Sequence, residues 1–463
     1  MSGYVSIKEK SPQEEGRGHN EPRETSPGRI ELTAVSGMRF FATLFLVCGR
    51  SIETLWIDSG SEAKFLSVTL CSGLHLGAKD VVSFYYVLSG FTLAWGYGNR
   101  DLDSSEVRWR YWTRRFVRFY PDFAISTIVT FLLKQPFFFG CHDYGWPSWV
   151  SQGTSLLLFT AWYRFIPGSG YINGPVWFIV TLFWLWIFFP YLFGASKKVF
   201  ENVSWSTFLL KMLALWVISL VPWAFIDESN VDTLRWALRC FPILRIPEFV
   251  CGIALALRVR RDKDELRLYG SSDSEFHPRS FVGFAPLICV FFALFYYAYS
   301  IYLWPEDCTC LDSRYFHCFG WIEAFDTKFL PLSAIVIYSV TTLDVCAHDN
   351  GTAEFDNVKK HVGVVGAYLW SFFCLDFFVM VGKWGLPIFL WQAAVNVLVE
   401  AFLVDVHWGL ESRCTPQSFT LAYAVFYWIF HLLSAYVVAY LMYEEGPVGR
   451  LIHSGVAYFV KDS

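Results

Sequence analysis

Two arginines in the first long apolar segment are the residues whose positions most need a chemical explanation. Arg39 and Arg50 lie in or at the edge of the apolar run 39–57, and a charged side chain inside a bilayer costs about 3 kcal/mol on insertion scales. They are about three helical turns apart, so they project from similar faces of a helix about 16 Å from each other. Either they line a polar path through a helix bundle, or they extend their guanidinium groups to water at opposite interfaces.

A second basic segment combines arginines with aromatic rings. Five arginines interleave with Trp, Tyr and Phe in the run RWRYWTRRFVRFYP, residues 108–121. Guanidinium groups suit phosphate oxygens, and aromatic faces suit stacking with a nucleotide base. A nucleotide-bearing donor such as acyl-CoA fits this pattern, although anchoring to anionic lipid headgroups explains the charge about as well. The predicted donor-binding residues are Arg114, Arg115, Arg118 and Tyr120.

Other polar residues have two interpretations each. Arg245 and Glu248 are spaced i, i+3, which allows them to pair with each other on a helix, and the alternative is that they orient a substrate. Gln392, together with Asp376 and Lys383, lies around the last predicted inward-facing hairpin. These three residues are either polar contacts between helices or contacts to a substrate.

Recognised catalytic motifs are absent from the sequence. It contains no Gly-x-x-x-x-Gly-Lys phosphate loop, no His-Glu-x-x-His pair and no Gly-x-Ser-x-Gly elbow. We therefore expect no metal. His75 and His142 are predicted to lie outside, where either can serve as a general base, although a lone loop histidine usually does not.

The composition is that of a protein in contact with lipid. Of 463 residues, 54% are hydrophobic and 20% aromatic, whereas 17% are charged, compared with about 25% charged residues in ordinary soluble domains. This balance excludes a disordered chain. The formal net charge of −4 offers no basic surface for a phosphate backbone, so no nucleic-acid partner is expected.

Apolar segments of the length of a membrane helix recur along the chain. A span needs about 20 mostly apolar residues. The stretch Leu369–Val381 is interrupted by Asp376 and is predicted to be interfacial or re-entrant. The sequence therefore predicts an all-α, polytopic membrane helix bundle with about ten transmembrane helices. The candidate spans are 39–57, 81–97, 119–140, 175–195, 205–226, 241–258, 281–303, 327–345, 386–405 and 419–442.

The distribution of Lys and Arg predicts the orientation. These residues are concentrated in the loops that face inward when residues 1–38 are placed inside, which favours a cytosolic N-terminus and a cytosolic C-terminus. Residues 1–30 are predicted to be a disordered cytosolic tail, residues 31–450 the membrane domain, and residues 451–463 a cytosolic tail. The sequence predicts a multi-pass membrane protein and does not distinguish endomembranes from the plasma membrane.

Seven stretches, in order, resemble the acyltransferase 3 family of integral membrane O-acyltransferases. Arg39–Arg50 resembles its first-span Arg-x10-His, and Val82–Phe91 resembles its aromatic-rich second span that ends in Leu-Ser-Gly-Phe. Arg114–Pro121 resembles its Arg-Arg-x-x-Arg-x-x-Pro loop. The other stretches, which bring the resemblance to about residues 32–450, are Asn173–Phe178 with Phe189–Pro190, Arg245–Gly252, Gly382–Gln392 and Glu445–Pro447.

The resemblance implies a protein that moves an acyl group, often acetyl, from cytosolic acyl-CoA to a hydroxyl of a carbohydrate or lipid-linked acceptor. Acyl-CoA is then the donor substrate, and membrane lipid surrounds the protein. Arg39 and Arg50 are expected to line the reaction path as catalytic residues. The residues expected to contact the substrate are Trp177, Arg245, Glu248 and Gln392.

Two positions depart from the family pattern, and each lacks an acid/base group. Arg50 stands where the family keeps a histidine, and a guanidinium cannot accept a proton as an imidazole does. Leu182 stands where the family often has a glutamate. Arg50 can still stabilise an oxyanion, with another base such as His75. The alternatives are a catalytically silent relative that binds or translocates acyl-CoA or lipid, and an unrelated transporter or structural membrane protein.

Overall fold

The structure is a computed structural model that describes residues 32–53, 81–98, 100, 102–138, 153–162, 176–222, 238–269, 279–302, 329–348, 354–408, 421–443, 445–452 and 454. Every regular element in these ranges is helical, and no strand occurs in them. The predicted all-α class is therefore confirmed for this part of the chain. The predicted tail 1–30 lies outside it, as do most of residues 451–463.

The helices are named α1 to α12 in chain order, and a short 3-10 turn, Pro242–Arg245, leads into α6. Their bounds are α1 Thr33–Glu53, α2 81–97, α3 Ser105–Phe138, α4 Val176–Phe200, α5 Trp205–Leu220, α6 Ile246–Tyr269, α7 Arg279–Tyr302, α8 Leu330–Ala347, α9 Phe355–Phe373, α10 Asp376–Lys383, α11 Gly385–Trp408 and α12 Leu421–Met442.

Each segment predicted to be a span overlaps one of these helices. By length and apolar composition, three helical stretches of the described chain can cross a membrane, namely Ser105–Leu133, Trp177–Phe200 and Leu330–Ala347. Helices α9 and α10 are bent by 53° relative to each other, and together they form a fourth candidate crossing if the pair is counted as one span. The structure thus supports three or four crossings, and the figure of about ten stays a prediction, as do the sides of the termini.

The interrupted stretch around Asp376 is a bend between α9 and α10. α9 is itself broken at Gly363, whose φ of +86° favours glycine because a side chain would be strained there. α10 begins at Asp376, which places a carboxylate at the positive end of the helix dipole. The arrangement is that of a broken span or a re-entrant loop, and it agrees with the prediction that Leu369–Val381 is not a straight span.

The outer faces of α5, α7 and α12 carry large exposed apolar side chains. Leu210, Phe291 and Leu433 are 66%, 67% and 60% exposed. Continuous apolar surface of this kind is unfavourable in water and mostly marks a contact with lipid or with another protein. The structure therefore supports a membrane environment.

α1 is the helix around which the later part of the chain packs, since it contacts all of α8 to α12. Two glycines allow its backbone to approach the α9–α10 pair closely. A Cβ atom on Gly37 would overlap the Phe373 carbonyl oxygen, and one on Gly382 would overlap the Ser36 carbonyl oxygen. α1 and its neighbours are therefore in direct backbone contact.

The N-terminus of α1 is held by a carboxylate from α8. Asp344 is fully buried, and its two oxygens accept hydrogen bonds from the Ala34 and Val35 backbone N–H groups at 3.0 and 3.3 Å. The Trp370 indole N–H donates to the same carboxylate at 3.0 Å. The first N–H groups of a helix have no partner within the helix and carry its positive dipole end. Asp344 satisfies both needs and fixes where α1 begins.

We predict that Asp344→Ala strongly lowers the thermal stability of the detergent-solubilised protein. Three buried donors lose their acceptor, at about 1–3 kcal/mol for each group left unsatisfied. Asp356→Ala is the control, because it removes an exposed carboxylate from the first turn of α9. The measurement is the fraction that stays monodisperse after heating, and equal losses for the two variants would contradict the capping role.

Candidate functional site

The arginine-rich segment belongs to a helix, whereas the family resemblance implied a loop at Arg114–Pro121. α3 begins at Ser105, so residues 108–121 form its first half. The apolar and charged side chains recur there at helical spacing, which produces an amphipathic helix. Tyr111 and Phe119 point into the bundle, with 2% and 3% of their surface exposed, whereas Arg110 and Arg114 are exposed.

The arginines of this segment have different surroundings. Arg108 donates hydrogen bonds to backbone carbonyls at residues 102 and 103, and Arg110 forms an exposed ion pair with Glu106. Arg115 is half-buried and lies over the Trp186 ring, 5.8 Å from its centroid. The first two arginines therefore stabilise their own helix end, while Arg115 faces the interior.

Arg39 of α1 lies within electrostatic range of Arg115 and Arg118 of α3, and the Tyr85 hydroxyl of α2 donates to the Arg39 backbone carbonyl at 3.3 Å. We call Arg39, Arg115 and Arg118 the arginine cluster. Like charges that lie near each other raise the free energy of the site, and an anion among guanidinium groups lowers it through charge-assisted hydrogen bonds. The arrangement can therefore hold a polyvalent anion.

Burial increases from the arginine cluster toward the hydroxyl groups of Thr43 and Tyr85. Arg118 is exposed, and Arg39 and Arg115 are half-buried. Thr43 is only 2% exposed, and its Oγ1 lies 2.6 Å from the Tyr85 hydroxyl oxygen. Thr43 also donates to the Arg39 carbonyl at 2.8 Å. The site thus passes from guanidinium groups at the surface to paired hydroxyls in the interior.

Arg50 lies on the same uninterrupted helix as Arg39, as predicted. Its side chain is outside the part of the structure that is described, so its predicted place on a reaction path stays a prediction. His75 and His142 also lie outside the described residues.

Arg245 and Glu248 form the predicted ion pair, with an N–O distance of 2.7 Å and exposed side-chain fractions of 1% and 0%. Arg245 Nε also donates to the Arg239 carbonyl at 3.1 Å. The guanidinium lies 5.6 Å from the centroid of the Tyr86 ring. Pairing is confirmed, and a contact of either residue with a substrate stays a prediction.

Two stretches that the sequence singled out are parts of one helix contact. A Cβ atom on Gly90 of α2 would overlap the Phe249 carbonyl oxygen, and one on Gly252 of α6 would overlap the Val87 carbonyl oxygen. Glycine at both positions lets α2 and α6 touch through their backbones. Gly90 therefore serves helix packing, and this contact places the buried ion pair beside α2.

Phe178 connects the arginine cluster to the ion pair, and the sequence analysis missed it. Its ring centroid lies 6.0 Å from that of Tyr85, 5.0 Å from that of Tyr86 and 5.0 Å from that of Phe389. Through Tyr85 it reaches the arginine cluster, and through Tyr86 it reaches the ion pair. One phenylalanine in a long apolar helix carries no local signal that distinguishes it from its neighbours.

The remaining predicted residues lie at different places. Tyr120 donates to the Leu156 carbonyl at 3.1 Å, so its hydroxyl binds the segment 153–162. Trp177 is 5% exposed and its ring lies 6.2 Å from that of Phe178. Gln392 is 3% exposed on α11. The predicted substrate-contacting residues Trp177 and Gln392 are therefore interior, and Tyr120 binds backbone.

Comparison with known proteins gives a similarity to an acyltransferase. The chain is 26% identical over 246 residues to "Acyltransferase MdmB" of Streptomyces mycarofaciens, a match that covers 50% of this chain and 59% of that protein. The chain thus spans less than two thirds of this relative's length. No protein-family profile and no solved structure matches the chain.

We predict that Glu248→Ala lowers the free energy of unfolding by about 3–5 kcal/mol, because it leaves the buried Arg245 guanidinium without its carboxylate. Replacing both residues, as Arg245→Met with Glu248→Leu, should recover much of that loss. Glu106→Ala breaks the exposed pair with Arg110 and should cost about 0–1 kcal/mol. Chemical denaturation in detergent micelles measures all three, and a double variant as unstable as Glu248→Ala would refute the explanation.

Proposed function

We propose that this chain is an integral membrane acyltransferase that moves an acyl group, acetyl by family resemblance, from acyl-CoA to a hydroxyl of a carbohydrate or lipid-linked acceptor. Similarity to an acyltransferase over half of the chain supports acyl transfer. The observation that carries the donor assignment is the nearness of three guanidinium groups, those of half-buried Arg39 and Arg115 and of exposed Arg118, since CoA is a polyanion whose phosphates suit clustered guanidinium groups.

The proposed topology has about ten transmembrane helices with both termini in the cytosol. It is supported by the overlap of every predicted span with a helix and by the bias of Lys and Arg toward the inward loops. In this topology the first half of α3 faces the cytosol, where acyl-CoA is available.

In the proposed complex, Arg114, Arg115 and Arg118 hold the donor phosphates. The exposed arginines meet the phosphates first, and the acyl end extends past half-buried Arg39 toward Tyr85. Trp177, Phe178 and Gln392 contact the acceptor, and the Arg245–Glu248 pair keeps the adjoining wall in place. The gradient from exposed arginine to buried hydroxyl supports this order.

In the reaction, the acceptor hydroxyl gives its proton to a general base while its oxygen attacks the thioester carbonyl carbon. The C–S bond then breaks, and CoA leaves as a thiolate that takes up a proton. Arg39 and Arg50 are proposed to stabilise the negative charge that develops on the carbonyl oxygen. A guanidinium cannot be the base, so His75 is the proposed base.

A catalytically silent protein that binds or translocates acyl-CoA or lipid is the second candidate. The observation that favours it is Arg50, which replaces the imidazole of the family resemblance with a group that holds its proton at all physiological pH values. In this case the arginine cluster still binds CoA, and no product forms.

We predict that Arg115→Gln weakens CoA binding at least tenfold, because one charge-assisted phosphate contact is worth about 1.5–3 kcal/mol. Arg110→Gln is the matched control, since it makes the same change on the same helix in an exposed pair with Glu106. Binding is measured with labelled acetyl-CoA and purified protein. Equal affinity of the two variants would argue against the donor site.

Incubation of the wild-type protein with labelled acetyl-CoA and candidate glycan or lipid-linked acceptors should yield acylated product. If the wild type binds CoA without turnover and Arg50→His gains transfer or hydrolysis, the silent candidate is correct and loss of the imidazole is its cause. Arg50→Lys is the control, because it keeps the charge and supplies no base near neutral pH.

A further inference from the structure

We propose that the side-chain amide of Gln392 is the hydrogen-bonding group of the acceptor subsite, and that the acceptor presents a hydroxylated ring to it. This inference rests on the proposed function, since it assigns the acceptor end of the same site. Its chemical content is a buried amide oxygen that has no hydrogen-bond partner among the described residues, on the helix that also carries Phe389.

The amide oxygen of Gln392 is buried and has no hydrogen-bond partner in the part of the chain that the structure describes. The residue is held to α12 through its main chain, because the fully buried His431 ring donates to the Gln392 backbone carbonyl. Buried polar atoms are nearly always paired, and an unpaired one costs the free energy of its desolvation. An amide kept in this state is explained by a ligand that supplies the missing donor.

The neighbouring side chains indicate what kind of ligand fits. Phe389 lies one helical turn before Gln392 on α11, and its ring packs 5.0 Å from that of Phe178. A hydroxylated ring has apolar C–H faces and polar edges. Its faces match these aromatic rings, and its hydroxyl groups match the amide.

The register between α1 and α11 places Gln392 level with Arg50. A Cβ atom on Gly385 would lie 3.0 Å from Thr43 Oγ1, and Val47 packs with Ile388, so the two helices run in the same direction along their contact. Gln392 follows Gly385 by the same number of residues as Arg50 follows Thr43, about 10 Å along each axis. Gln392 therefore lies at the same depth along its helix as Arg50, one of the two residues proposed to stabilise the oxyanion.

The first test is the stability of the unliganded protein in detergent. Gln392→Leu should raise the midpoint of thermal unfolding by about 2–4 °C, because an apolar side chain of similar size replaces a buried amide whose oxygen is unpaired. The matched control is Asn357→Leu, which removes a buried amide that donates to the Ala347 carbonyl at 3.0 Å and should lower the midpoint. A decrease for Gln392→Leu like that of Asn357→Leu would overturn the proposal.

The second test uses methyl β-D-glucopyranoside as a hydroxylated-ring probe, with glycerol at matched concentration to correct for general stabilisation by polyols. The sugar should raise the midpoint of the wild type and leave that of Gln392→Leu unchanged. No shift in the wild type, or the same shift in both proteins, would overturn the assignment. CoA should stabilise both proteins, and a lack of any CoA effect would instead count against the proposed function.

Discussion

A buried carboxylate from α8 holds the first helix in place. Asp344 accepts hydrogen bonds from the first N–H groups of α1, and α1 contacts every helix from α8 to α12. Because α1 carries both Arg39 and Arg50, the depth of those two arginines in the bundle follows from where α1 begins. Close backbone contact at Gly37 and Gly382 then fixes α1 laterally.

Guanidinium groups serve two different purposes in this interior. Arg245 is fully buried, and Glu248 compensates its charge within the protein, so this pair has no net charge. Arg39 and Arg115 are half-buried and coupled to each other as like charges. A low-dielectric setting strengthens both the attraction in the first case and the repulsion in the second. The second set is therefore the one that gains most from an external anion.

Phe178 links the arginine cluster to the Arg245–Glu248 pair, although these residues belong to different helices. Its ring contacts Tyr85 on the side of the arginine cluster, Tyr86 on the side of the ion pair, and Phe389 on the helix that carries Gln392. Aromatic rings are rigid and pack closely, so these contacts fix the helices relative to one another. A shift of one helix would displace all three contacts.

The sequence by itself determined the all-helical class, the approximate helix positions and the Arg245–Glu248 pair, because apolar run length and i, i+3 spacing are local properties. The resemblance implied a loop at Arg114–Pro121, and the structure shows these residues in the first half of α3. Only the tertiary structure decided that Asp344, 310 residues away along the chain, caps α1, that Arg39 comes within electrostatic range of Arg115 and Arg118, and that Phe178 lies between the arginine cluster and the ion pair. These are contacts between helices distant in sequence, and such contacts depend on packing that no local pattern encodes.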